Sequence, residues 1–522
     1  MNSPAEITKS YLVLTTALIT IIIIICGIMS VVVVTDPAVK YSQILSKAAM
    51  TVRKVYPDAI DWEKASLAAR EAMMSELDPF SRYVEKEVLA QFEDDMSGGY
   101  FGIGITVYPH EEGLLILDVR EGSPASSAGL LAGDVIIASD SVYLDDLTPN
   151  EAVRLIKGEE NSILDATIFR PAIGDTLKFE IIRKRIEFLH IPFAGFTQDS
   201  AIYIRLLDFN AGAADELKKA LDTLSSQGSQ KSRGIIIDLR DNPGGFLSEA
   251  AEIVELFLNK GDFVVGTSSR SRWNEERSVA ARSGAYANFP VALIVNDGSA
   301  SASEVVAGAL KYSDNAVLIG DTTYGKGLVQ GFIKMPDGDG IRLTISRYFF
   351  NGGKYINVID SFDGEHAAGL LPDYPYQYEN ENPFYAELES SLALLEFAHK
   401  FQDELIASAG DDNSVAIWID QLRKYAAENG FNYRSNVSKA ADEFSKEVES
   451  GQLKRLAQKA VATAEMFDSK LFEKHREFIW MRLRQIAYER KFGTYRAYKN
   501  VVVPEYGPIS LAESLLAKKD SL

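Results

Sequence analysis

The sequence predicts a multidomain α/β protein with an N-terminal transmembrane helix, a helical segment, a β-rich domain, a mixed α/β core and a C-terminal all-helical domain. Three observations carry this expectation. The chain has 522 residues, more than one hydrophobic core accommodates at about 100–200 residues per domain. An uncharged run near the N-terminus is long enough to span a bilayer. Beyond it the texture changes three times, from helical periodicity to short strands, then to alternating strands and helices, then to helices again. The expected divisions are 1–36, 37–97, 98–187, 188–380 and 381–522.

The apolar run is Tyr11–Val34, YLVLTTALITIIIIICGIMSVVVV, which holds no charge over 24 residues. As a helix it measures roughly 36 Å, enough for a bilayer core of about 30 Å. A cleavable signal has a shorter apolar core and a small-residue cleavage site, so residues 1–36 read as a cytoplasmic stub and an uncleaved single-pass anchor. Lys9 precedes the run, whereas Lys40, Lys47, Arg53 and Lys54 follow it. Long domains translocate largely regardless of flanking charge, so charge alone leaves the orientation open.

Composition narrows the remaining classes. With 46% hydrophobic and 25% charged residues the chain is neither disordered nor fibrous. The net charge of −20 argues against nucleic acid, which demands a basic surface. One cysteine, Cys26, excludes an intrachain disulfide and a multi-cysteine metal site. None of the five histidines lies within four residues of another, which removes HExxH-type zinc chemistry. Neither a metal nor a cofactor is expected.

Residues 37–97 show helical spacing (Ile44, Ala48, Ala49, Val52; Leu67, Ala68, Ala72, Met73) and no strand-like alternation. From Gly98, GIGITV, LLILDV, DVIIASD and LKFEIIRKR read as strands. One short helix is expected among them, Thr148–Lys157, with a Thr148/Glu151 capping box, Pro149 in the first turn and Gly158 at the stop. Next, AIYIRLL, GIIIDLR and VALIVN alternate with helices at 211–226, 246–258 and 301–312. That is the signature of βα units around a mixed or parallel sheet. Beyond Pro383 proline is absent until Pro504 and glycine is rare, so 381–522 reads as helical.

Chemistry concentrates in three places. In residues 291–312, VALIVNDGSASASEVVAGALKY, a strand runs through a small-residue turn into a helix. Ser301 and Glu304 fit a helix-capping box. A serine there also stands in the positive field of the helix N-terminus, beside backbone N–H groups able to hold an oxyanion, so Ser301 is also a candidate nucleophile, though from this stretch alone the cap is the better reading. Gly320–Lys326 spells GxxxxGK, but Gly327 replaces the Ser or Thr that holds magnesium, and a strand rather than a helix is expected next, against a P-loop. Buried beside Ser301, Lys326 would serve as a general base in place of the scarce histidines. Lowering its pKa from about 10.4 to about 7 takes roughly 4.6 kcal/mol, within the reach of burial. Gln330, on the same strand face if the chain is extended, could orient the amine. In residues 238–254, Asn242-Pro243-Gly244-Gly245 opens into a helix: a plain turn, or a source of free N–H groups for an anion.

SASASE, TTYGKGLVQ with its lysine 25 residues after the middle serine, DLRDNPGG, LDPFSRY (Leu77–Tyr83), GGYFGIGI (Gly98–Ile105) and GLLPD (Gly369–Asp373) together resemble the carboxy-terminal processing (tail-specific) proteases. These are serine peptidases that use a Ser-Lys dyad. The resemblance covers roughly residues 40–375. It implies that Ser301 is the nucleophile, Lys326 the general base and Gln330 its orienting partner. Ser299 and Ser303 would be structural, and the oxyanion hole would use Ala302 N–H with Gly244 or Gly245. It also makes 98–187 a PDZ domain, with Phe101-Gly102-Ile103-Gly104 as the loop for a peptide's terminal carboxylate, and 188–380 the protease core. Arg347–Asp373 is longer than the family's usual link. The acidic turns at Asp337–Gly340 and Asp360–Glu365 read as hairpins rather than calcium sites.

The expectation is a membrane-anchored serine endopeptidase that takes protein substrates by a free C-terminus and cleaves them through an acyl-enzyme. The family's usual placement sets the protease outside the cytoplasm, periplasmic in a Gram-negative cell. The C-terminal helices would serve an adaptor or self-association. The competing expectation is an inactive PDZ scaffold at the membrane.

Overall fold

The computed structural model describes Thr20 and residues 36–519, apart from 87, 90–97, 172, 228–232, 270–275, 281, 357–368, 379–381 and 449–450. The expected anchor Tyr11–Val34, Thr20 excepted, therefore lies outside the described residues. Among the described residues no helix is long and apolar enough to cross a membrane. The chain divides into two compact units, Met1–Leu77 and Asp78–Leu522. In the first, Pro37–Val55 and Trp62–Ser75 are helices, capped by the Asp36 and Asp61 carboxylates.

The all-helical reading of 37–97 needs one correction. Arg82–Val84 is a strand that pairs antiparallel with Gly340–Arg342. Three residues are too few to show a period of two, so only their partner strand makes them visible.

In 98–187 the strands Ile105–His110, Gly113–Val119, Val135–Ser139, Ile163–Arg170 and Asp175–Ile182 form a sheet in the order written, with Val142–Tyr143 beside Val135–Ser139. Gly99–Gly102 pairs separately with Lys184–Glu187. The helix expected after Thr148 is present as Pro149–Ile156 with its reciprocal capping box. It is not the only helix there. Pro124–Ala128 is a second, held by the Ser123 hydroxyl and by left-handed Gly129. Little more than one turn long, it offers no 3.6-residue period to read.

The core is a mixed sheet. Phe193–Phe196 runs antiparallel to Ile202–Arg205, and Ile235–Asp238, Val291–Val295, Ala316–Gly320 and Tyr374–Pro375 follow in parallel register. One face packs on helices Ala213–Gln227, Leu247–Glu255 and Ala302–Tyr312, with Leu217, Ile253 and Val306 fully buried. The other face is covered from the far end of the chain. Ile236, Ala292 and Ile294 meet Val501, Ile509, Ala512 and Leu516, the last three from helix Gly507–Lys519. Part of the expected C-terminal helical region thus completes the α/β/α layering, while helices between Pro383 and Phe492 build a separate cluster around Phe397, Leu422 and Ile479. A second, antiparallel sheet is built on the long strand Gly340–Phe350, flanked by Leu328–Lys334, Arg82–Val84 and Phe263–Ser268. Asp337–Gly340 is a hairpin turn, as expected, and Asp339 accepts the Tyr83 hydroxyl at 2.6 Å. Asp360–Glu365 lies outside the described residues.

A buried charge cluster ties the C-terminal segment to the core. Asp238 has no solvent exposure and takes Arg205 at 3.1 Å, Arg240 at 2.6 Å and the Tyr203 hydroxyl at 2.8 Å. The Arg240 guanidinium also lies 4.1 Å from the centroid of the Tyr506 ring. Burial alone would raise the Asp238 pKa, but the two arginines hold it far below the usual carboxylate range. Asp238→Ala leaves buried Arg240 without a carboxylate and Arg205 with only Asp241, 3.9 Å away, and should lower stability by about 3–5 kcal/mol, read from urea unfolding midpoints. The pair's contribution is complete above the unfolded aspartate pKa and is lost as pH falls toward the folded value. The Ala variant should therefore lose its deficit relative to the parent in strong acid, and a pH-independent deficit would contradict the assignment.

Candidate active site

Strand Val291–Val295 delivers Ser301 to the start of helix Ala302–Tyr312 through a turn that other segments lock. The Ser299 hydroxyl donates to the Leu239 carbonyl at 2.8 Å and the Ser303 hydroxyl to the Asn242 carbonyl at 2.8 Å. Ala300 N–H also donates to Asn242 O, at 3.0 Å. Both flanking serines are buried structural ties. Ser301 itself sits at φ 56°, ψ −113°, a strained conformation for a residue with a Cβ, of order 1–3 kcal/mol. The small side chains on either side let this sharp elbow form.

Glu304 was legible only as a cap, yet it does much more. Fully buried, it accepts Ser301 N–H at 2.9 Å, Lys326 N–H at 2.8 Å, Gly325 N–H at 2.8 Å and the Thr323 hydroxyl at 2.6 Å. One carboxylate thereby fastens the serine turn to the lysine loop. Burial raises its pKa, and these four bonds oppose the rise. Thr323 in turn accepts Leu370 N–H at 2.7 Å. A Cβ on Gly369 would stand 1.9 Å from the Thr323 carbonyl, which accounts for the glycine of GLLPD.

Ser301, Ala302, Gly244, Gly245, Lys326 and Gln330 all line one cavity of about 910 Å³, with Leu247, Val305, Leu328 and Phe332 among its apolar walls. The strand Leu328–Lys334 follows Lys326, so no helix is available for a P-loop. The Lys326 amine lies 5.4 Å from the Phe80 ring centroid. Its pKa is lowered, first by burial and then by the Arg342 charge; Glu304 opposes this and Arg82 adds to it.

Two expectations are refined. The alternation argument for Gln330 assumed extended chain from 326, but the strand starts at Leu328 and its register shifts between Val329 and Gln330. Gln330 still reaches the cavity, its buried Nε2 without a hydrogen-bond partner among the described residues. The two candidate glycines also differ. Gly244 N–H is occupied by Asn242 Oδ1 at 2.9 Å. Gly245 pairs with Phe209 through Gly244 O and Phe246 N–H, a pattern that turns the N–H of Gly245 itself away from Phe209.

Asp78–Tyr83, from the motif LDPFSRY noted only as part of a resemblance, folds into a turn beside Lys326. Asp78 accepts Phe80 N–H, Ser81 N–H and the Ser81 hydroxyl at 2.8–2.9 Å. The resulting turn presents Phe80 to Lys326.

Phe101-Gly102-Ile103-Gly104 lies apart from this cavity. Phe101 and Gly102 end a strand rather than forming a loop, a correction to GIGITV as one continuous strand. The break is Ile103-Gly104, where Gly104 has φ +79° and a Cβ would meet Ser123 Cβ at 2.5 Å. Ile103 O accepts Ala125 N–H and Gly104 O accepts Arg120 N–H, while the N–H groups of both residues are uncommitted among the described residues. Ile105–His110, the next strand, is a sheet edge.

A small antiparallel β-domain with a glycine break at its edge, beside a mixed α/β core that strains a serine into a lysine-bearing cavity, defines a PDZ-bearing serine peptidase. Comparison with known proteins agrees. The profile of Peptidase family S41 matches residues 200–375 and that of the PDZ domain residues 115–168. The carboxy-terminal processing protease CtpA of Bacillus subtilis (strain 168) is 31% identical over 351 residues, 66% of this chain and 70% of that protein. The carboxy-terminal-processing protease of Bartonella bacilliformis is 32% identical over 323 residues, 62% of this chain and 72% of that protein. Among solved structures, a photosystem II D1 C-terminal processing protease aligns over 63% of this chain and 86% of its own, at 26% identity and a TM-score of 0.39. The chain belongs to the carboxy-terminal processing proteases, and it is a serine-type peptidase with a PDZ domain.

Proposed function

We propose that this peptidase is a membrane-anchored endopeptidase with a Ser301–Lys326 dyad, and that its PDZ domain receives the C-terminus of a protein substrate. The observation that carries the reading is the convergence of Ser301, Lys326, Gln330 and Gly245 on one cavity, with the serine held at a strained helix N-terminus. Neutral Lys326 takes the Ser301 proton as Oγ attacks the scissile carbonyl. Ala302 N–H and Gly245 N–H hold the oxyanion, and the protonated amine then gives its proton to the leaving nitrogen. Water, deprotonated by Lys326, hydrolyses the acyl-enzyme and restores Ser301. Gln330 orients the amine. The uncommitted N–H groups of Ile103 and Gly104 suit a terminal carboxylate, and the edge strand beyond suits pairing with an extended chain. The anchor is Tyr11–Val34, with the peptidase outside the cytoplasm; this part of the reading rests on the apolar run and the family's usual placement. The C-terminal helices serve an adaptor or a second copy.

The test uses the full chain in detergent with an unfolded protein ending in apolar residues, and the same protein carrying an amidated C-terminus. Parent enzyme should cleave the first and Ser301→Ala should not. Amidation should slow cleavage roughly tenfold, the worth of a lost charge-assisted contact. Cleavage by Ser301→Ala would overturn the nucleophile, and indifference to amidation would overturn carboxylate recognition.

A further inference from the structure

Arg342 shares the wall of the Ser301 cavity with Lys326. It lies on Gly340–Phe350, with Arg82 directly opposite it on one neighbouring strand and Phe332 on the other. Like charges facing one another across strands destabilise a sheet, so this arrangement asks for a reason. No carboxylate relieves it by an ion pair among the described residues. Asp78 attracts the guanidinium but forms no ion pair with it, and its oxygens accept Phe80 N–H, Ser81 N–H and the Ser81 hydroxyl. Arg342 is nonetheless fixed in place, since its Nε donates to the Phe80 carbonyl at 3.0 Å and the Phe80 ring stands against the Lys326 amine.

We propose that Arg342 is a positioning residue for Lys326, its fixed and unpaired positive charge in the cavity wall holding the lysine amine neutral at working pH. This rests on the dyad reading above. Guanidinium does not deprotonate in proteins, so its field persists at every pH where the lysine titrates, and inside a partly desolvated cavity it is weakly screened. The groups facing the amine are Arg342 and Arg82 from the sheet, which favour the neutral form, and Glu304 from the helix, which favours the charged one. The direction found for Lys326 agrees with the first pair and burial prevailing.

The test is the pH profile of kcat/KM for the full chain and for Arg342→Gln, which keeps a donor for the Phe80 carbonyl and removes the charge. Without the cation the amine stays protonated to higher pH, so the acid limb should move upward. The loss should be roughly 3–10-fold at pH 7 and shrink as pH rises. Arg342→Lys should restore the parent limb. An independent reading is the pH dependence of Lys326 acetylation by acetic anhydride, followed by mass spectrometry in a Ser301→Ala background with and without Arg342→Gln. A limb and a labelling midpoint that Arg342→Gln leaves in place, or an equal loss at all pH values, would overturn the proposal. Failure of the dyad reading would show differently, as cleavage surviving in Lys326→Ala.

Discussion

Replacing Lys326 by alanine is expected to lower kcat/KM by roughly 10⁴–10⁶-fold while leaving the fold intact, because members of a nucleophile–base unit fail together. The amine contributes no hydrogen bond among the described residues that the fold would lose; the loop is held instead through its backbone, by Glu304 at Lys326 N–H. Lys326→Arg should be nearly as inactive, since guanidinium cannot act as a base near neutrality. In the parent, activity should rise with pH as the amine deprotonates and fall as pH drops through a pKa lowered by burial and by Arg342. Steady-state kinetics with far-ultraviolet circular dichroism as a folding control decide it. An alanine variant within tenfold of the parent would remove Lys326 from the mechanism.

Glu304 should be the most consequential residue that never meets substrate. Glu304→Ala strands four donors, the buried Thr323 hydroxyl and Gly325 N–H and the part-buried N–H groups of Ser301 and Lys326, and an unsatisfied buried group costs about 1–3 kcal/mol. Even with relaxation the loss should exceed about 3 kcal/mol, a large share of the ~5–15 kcal/mol that holds a domain together. Glu304→Gln keeps the shape but turns an NH₂ toward two donors, so it should be intermediate in stability. A folded Gln variant should still lose at least about tenfold in kcat, because Ser301 N–H and Lys326 N–H share one carboxylate oxygen and small displacements of reacting groups are expensive. Thermal unfolding gives the first quantity and kinetics the second. An alanine variant melting within a few degrees of the parent would mean that the clamp is not what joins the two loops.

What could be read in advance follows interaction range. The three βα units, the Thr148 box and the strand after Lys326 declare themselves through contiguous residues, and the structure has each of them. Ser301 and Lys326 stood out through the small residues around one and the glycines flanking the other, but only the family resemblance paired them; the structure sets both on one cavity. Arg82–Val84 and Pro124–Ala128 were not, since elements of three and five residues carry no period. Glu304 looked like a local cap because three of its four partners lie 19–22 residues ahead. Which glycine keeps its N–H free depends on Asn242, two residues before Gly244, and on Phe209, which only the fold brings alongside Gly245. Phe80 and Arg342 stand 262 residues apart and meet at the cavity through a single hydrogen bond.

The cover over the second face of the central sheet sets an order of events during synthesis. A chain growing from its N-terminus completes Ser301, Lys326 and every strand of that sheet before residues 501–516 exist to shield Ile236, Ala292 and Ile294. Until then a broad apolar surface faces solvent, and Arg240 lacks Tyr506. The later segment closes the layer on which the strand delivering Ser301 depends, so a nascent chain holds Ser301 and Lys326 long before it holds a finished core.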